Sequence, residues 1–198
     1  MQMKLNAMLH NGRKFCSIPI FGYSTQGIPG VDVIGLGKMG RSLKEKIIFL
    51  TKSSNFKIPL RRFVLCIDVK ELPDDLDELR LLELPFLILF WSLSGILPIT
   101  CLDDCFACGR IDVSGTVESL DQKGWMEIKN DVEKNGITGK YLGVSSQSEG
   151  ECQSIRLLPL QKIFSPALRL DFNVLQLRQS TGIGQIERAR TNSRYGFS

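Results

Sequence analysis

The chain has 198 residues, 43% of them hydrophobic and 23% charged, with a formal net charge of +4. That is the composition of an ordinary globular protein, long enough for one domain with a tail or for two small domains. It excludes a chain too polar to build a core, and the charge is too small to establish a nucleic-acid partner by itself.

In chain order, the first predicted elements are two strands. Met3 to His10 pairs with Phe15 to Tyr23 (FCSIPIFGY), with Asn11-Gly12 as the turn between them. Gly27-Ile28-Pro29-Gly30 breaks the chain, and Val31 to Leu36 is a short β-branched strand. Ser42 to Lys52 places Leu43, Ile47 and Leu50 at helical spacing among lysines, the pattern of an amphipathic helix. Phe63 to Val69 (FVLCIDV) is apolar almost throughout, which predicts a central strand buried on both faces. Leu72 to Glu78 reads as an acidic, solvated loop carrying Asp74, Asp75, Asp77 and Glu78. An apolar helix follows, from Leu82 to Ser94. Its uncharged run, Leu84 to Leu93, is too short to span a bilayer and suits a buried core helix. Gly109 to Val113 and Thr116 to Leu120 flank Ser114-Gly115 as a hairpin. Trp125 to Lys134 is a helix stopped by Asn135-Gly136, and Tyr141 to Val144 and Ile155 to Leu160 are further strands. Strands alternating with helices give an α/β domain. The expected division is 1–164 for that domain and 165–198 for a basic tail, because the periodic pattern fades after Pro166.

Two motifs invite chemistry. Gly35-x-Gly37-x-x-Gly40 follows a strand and precedes a helix, as a dinucleotide-binding turn does, where glycines let backbone N–H groups approach a pyrophosphate. The acidic residue wanted about 20 positions on is missing, since Pro59-Leu60-Arg61-Arg62-Phe63 stands there. The turn is therefore read as a strand-to-helix corner that needs small residues, with a nicotinamide-dependent oxidoreductase as the alternative. Cys101, Cys105 and Cys108 have the spacing of an iron–sulfur or zinc loop. No second Cys-x-x-Cys exists, and His10 is the only histidine. Three buried thiols are the favoured reading, and no cofactor or metal is expected. Cys16, Cys66 and Cys152 complete the set, and the apolar runs around several cysteines, such as Val64-Leu65-Cys66-Ile67, suit reduced thiols and a cytoplasmic location. No P-loop string occurs, so ATP hydrolysis by this chain is not expected.

The tail from Ser165 carries five Arg against Asp171 and Glu187, a net +3. The favoured reading of this tail is a frayed, soluble terminus; as the alternative, Arg188, Arg190 and Arg194 are spaced to touch neighbouring phosphates, and Tyr195 and Phe197 could stack on the unpaired bases of single-stranded DNA.

The order of several segments resembles the front domain of the ComM / magnesium-chelatase-like AAA+ family. Gly27-Ile28-Pro29-Gly30-Val31-Asp32-Val33-Ile34-Gly35-Leu36 is similar to that family's "GLPGFSIVGL", and the stretch from Ser54 to Leu65 to its "SGFxFPxxRITVNL". Glu83-Leu84-Pro85-Phe86 resembles "DLPIAL", and Gly109 to Val117 resembles "GELSLDGxL". The likeness is collinear over roughly residues 3 to 164. It implies a Lon-protease-domain-like α/β fold, a mixed sheet with helices packed on it in the two-layer manner of some ribosomal proteins. In the family the domain precedes an ATPase, and ComM itself is a hexameric helicase aiding DNA branch migration in natural transformation. Lon proteases place a nucleophilic serine just before the "DLP" position and a lysine after the hairpin. Here no Ser, Thr or Cys lies between Asp74 and Trp91, so Lys123 would have no nucleophile to activate. What the likeness implies is a non-catalytic binding or regulatory domain. Its expected partners are a separate AAA+ ATPase subunit and, through the tail, single-stranded DNA, with no membrane. A remnant of a split gene is the further alternative.

Overall fold

A computed structural model describes residues 1–10, 14–69, 72–73, 75–115, 117–118, 122–134, 139–143 and 155–159, all within one compact unit, Met1–Gln161. The expected Asn11-Gly12 turn, the boundary at 164 and the basic tail lie outside the described residues.

The first two strands, β1 (Gln2–His10) and β2 (Phe15–Thr25), form an antiparallel hairpin with Lys4 opposite Phe21 and His10 opposite Phe15. Strand β3 (Gly30–Ile34) leads into helix α1 (Gly37–Ser53), and β4 (Arg62–Ile67) returns parallel to β3. A short helix α2 (Leu76–Leu79) and one 3-10 turn (Arg80–Leu82) lead into helix α3 (Glu83–Leu93). Strand β5 (Cys105–Ala107) follows, then a small hairpin of β6 (Arg110–Ile111) and β7 (Val117–Glu118). Helix α4 (Gln122–Lys134), β8 (Gly139–Gly143) and β9 (Ile155–Pro159) end the described chain. Seven strands form one sheet in the order β3-β4-β2-β1-β5-β8-β9. It is a mixed sheet, because β2 runs against both of its neighbours while every other pairing is parallel.

The core lies between this sheet and α3. Every residue of α3 is buried, from Glu83 to Leu93, so the helix has no solvent face. Its Pro85 sits in the first turn, where no intrahelical N–H is lost. Alternation in β2 shows which face the helix covers: Ile18, Ile20, Gly22 and Ser24 are buried, while Ser17, Pro19, Phe21, Tyr23 and Thr25 are exposed. A Cβ at Gly22 would meet Leu93 Cδ1 and the Val64 carbonyl oxygen at 2.9 Å, so the glycine admits the end of α3 to the sheet. Helix α1 packs against both β3 and α3. Trp91 Nε1 donates to Thr51 Oγ1 at 2.8 Å, and that hydroxyl donates to the Ile47 carbonyl at 2.7 Å. The Phe63 and Phe90 rings meet edge to face with centroids 5.1 Å apart.

Three expectations need correction. The apolar strand β4 is interior but second from the edge, because the N-terminal hairpin inserts beside it and takes the middle. The acidic stretch is not all loop. Asp75 caps α2, its Oδ1 accepting from the Asp77 N–H at 2.9 Å. Helix α1 starts at Gly37, five residues before the apolar periodicity becomes visible at Ser42.

Candidate functional site

The glycine turn is filled by the chain's own backbone. Gly35 has φ +96°, and a Cβ there would lie 2.3 Å from the Ile67 carbonyl oxygen at the end of β4. Gly40 is inside α1, and its Cβ would stand 3.1 Å from the Val33 carbonyl oxygen. Gly37 has open space around it and is demanded by its φ of +51° alone. The motif thus draws β3, α1 and β4 close together. Helix α1 begins without a side-chain cap and without an acid in its first turn.

The cysteine loop separates its thiols. Cys105 and Cys108 are buried at and just beyond β5, and Cys101 is exposed, which corrects the expectation of three buried thiols. Cys101 Sγ lies 3.8 Å from Asp103 Oδ2, and Cys105 Sγ lies 3.6 Å from Asp104 Oδ1. Among the described residues no three His, Cys, Asp or Glu side chains gather as a metal site requires.

Two charged clusters were not anticipated from sequence. The first centres on Glu83, the acid that opens α3. Its carboxylate is 7% exposed and takes Lys46 Nζ at 2.7 Å, Arg80 Nε at 3.3 Å and the Ile111 N–H at 2.8 Å. One buried anion therefore ties α1, the 3-10 turn and β6 to the head of α3. The signal was present as a single acid beside an otherwise uncharged run. The second cluster surrounds His10 at the end of β1. Its Nδ1 lies 3.4 Å from Glu78 Oε1 and its Nε2 3.8 Å from Glu127 Oε2. Nearby, Asp131 Oδ2 accepts the Phe15 N–H at 3.1 Å, so α4 is fastened to the hairpin's closed end. Lys123 is 85% exposed and reaches Glu127 at 4.0 Å.

The expected phosphate contacts Arg188, Arg190 and Arg194 lie outside the described residues. The described residues hold a stronger charge imbalance than the tail. Between Gln26 and Arg62 stand eight Lys and Arg against Asp32 and Glu45, a surplus of six, so the remainder of the chain is net negative. Both acids are already paired, Asp32 with Arg62 at 3.0 Å and Glu45 with Lys44 at 3.7 Å, and Lys46 is held by Glu83. Lys38, Arg41, Lys52, Lys57 and Arg61 are exposed and make no salt bridge among the described residues. Counting charge over this segment rather than at the tail alone would have found the surplus.

Among the described residues no helix is long and apolar enough to cross a membrane. No model of a known protein family matches the chain, and no curated protein matches it.

Proposed function

We propose that this chain is a non-catalytic binding or regulatory domain of the magnesium-chelatase-like, ComM type, acting in the cytoplasm beside a separate AAA+ ATPase subunit in the processing of DNA. The observation that carries the reading is the state of Glu83. In the resemblance, a Lon-type peptidase would present its nucleophile just before this position. Here the segment is Leu79, Arg80, Leu81 and Leu82, and Glu83 is locked by Lys46, Arg80 and the Ile111 amide. A carboxylate so engaged is a staple between elements and has no attacking group beside it to activate. Further support comes from where the similar segments fall. The GIPG breaker runs into the first residue of β3, the ELPF string opens α3, and Gly109 to Val117 spans β6 and the start of β7. A Lon-like reading of the sheet accords with that order.

The test uses the purified full chain. ATP and casein turnover are expected at background, and co-expression with a P-loop ATPase of the family is expected to give a complex that elutes together with an altered ATPase rate. Hydrolysis that disappears on mutating one residue of this chain would overturn the reading.

A further inference from the structure

We propose that the outer edge of β3 accepts an extended, acidic segment of a partner protein as an added strand. The inference rests on the binding-domain reading above and names the surface and the chemistry of the partner.

Strand β3 ends the seven-stranded sheet. Its register with β4 sets Gly30 opposite Arg62, and the Gly30 N–H donates to the Arg61 carbonyl at 3.1 Å. In a parallel ladder alternate residues bond to the same neighbour, so Gly30, Asp32 and Ile34 turn their amides to β4. Val31 and Val33 then turn theirs outward. The Val33 carbonyl lies against Gly40 of α1, but among the described residues neither outward amide has a backbone acceptor, and such N–H groups are a template for another strand.

The flanks of this edge select what can pair with it. Ile28 is 88% exposed, Leu60 84% and Ile34 54%, so large aliphatics stand in water at both ends of the strand. Chain connectivity also places there cations that make no salt bridge among the described residues. Arg61 lies beside the start of β3, its carbonyl accepting the Gly30 N–H, with Lys57 four residues before it in the chain, and Lys38 and Arg41 open α1 just past the strand's end. Lysines on an edge also discourage self-pairing, and here two copies would bring like charges together. A segment of opposite sign meets no such repulsion. Outward amides call for a polypeptide, exposed aliphatics call for alternate apolar side chains on it, and cations at both ends call for acids flanking that apolar centre. Nucleic acid or an anionic lipid surface would satisfy the cations but not the amides.

The experiment follows amide hydrogen exchange in the labelled full chain. The probes are a synthetic EEVTVTVEE peptide, its KKVTVTVKK counterpart, a deoxythymidine oligonucleotide and phosphatidylglycerol vesicles. The acidic peptide is expected to bind and to protect the Val31 and Val33 amides, and the basic peptide to do neither. Val33→Pro removes an outward N–H at an edge position, where proline is tolerated, and is expected to weaken peptide binding about tenfold or more. The double variant Lys38→Glu, Arg61→Glu keeps every amide and is expected to weaken binding as much, with a shallower salt dependence. Absence of peptide binding overturns the inference, as do protection elsewhere in the sheet and equal binding of the basic peptide. Oligonucleotide or vesicle binding that survives Val33→Pro, with no peptide-induced protection, overturns it in favour of a merely anionic partner. An ATPase complex indifferent to both variants sinks the edge proposal and leaves the binding-domain reading standing, whereas intrinsic hydrolysis sinks that reading itself.

Discussion

Glycines 35 and 37 sit two residues apart and do different work. A Cβ at Gly35 would collide with the Ile67 carbonyl at 2.3 Å and would also strain a φ of +96°, while Gly37 carries only a φ of +51° in open space. Gly35→Ala is therefore expected to cost more than about 3 kcal/mol or to prevent folding, and Gly37→Ala about 1 kcal/mol, read by urea denaturation. Equal costs would show that the contact with β4 is not what fixes the turn. At Glu83, truncation to Ala leaves Lys46 and the Ile111 N–H without their acceptor. The expected loss is about 2–4 kcal/mol, less than for a fully buried pair because Arg80 is partly solvated. The thiols divide by exposure. Cys101 is exposed, whereas burial pushes the Cys66 thiol up from its ordinary value of 9.0. Alkylation at neutral pH should mark Cys101 well before Cys66. Because the folded Cys66 holds its proton to higher pH than the unfolded one, its contribution to stability is full below about pH 9 and declines above it. Cys66→Ala should flatten that part of the stability curve, and an unchanged slope would assign it to another group.

At the scale of elements, α3 was legible because an uncharged run too short for a bilayer has only the interior to enter. Its partners were not. Lys46 precedes Glu83 by 37 positions, and no periodicity links an ion pair across two helices. Helix α1 was read too short for a related reason. Glycines are poor helix formers, yet Gly40 is inside the helix because only a residue without a Cβ lets α1 lie against the Val33 carbonyl at ease. Strand β4 was read as interior from its composition, which is correct, and as central, which is not. Composition reports burial, whereas strand order depends on pairings between segments far apart in sequence. The lock between α1 and α3 offers its own test. Trp91→Phe keeps most of the ring but deletes the donor to Thr51, and should cost about 1–2 kcal/mol. A loss near that of Trp91→Ala, about 3–5 kcal/mol, would mean that the indole's shape matters more than its hydrogen bond.

For the whole molecule, the cofactor question reduces to a melting curve. The glycine turn packs its own strands and helix together, so NAD(P)H is expected to leave the melting temperature unchanged. Saturation at about a hundred times Kd would instead add roughly 2.7 kcal/mol, a shift of several degrees, and would restore the oxidoreductase reading. The sheet order has a consequence for biogenesis. The hairpin that comes first in the described chain occupies the sheet's interior, with β4 and β3 joining on one flank and β5, β8 and β9 on the other. During vectorial synthesis the template precedes everything that must be laid on it, and each flank can dock as it leaves the ribosome without waiting for the other. Excising the hairpin would leave two orphan half-sheets with nothing to join them, whereas losing β8 and β9 would trim one margin and spare the template.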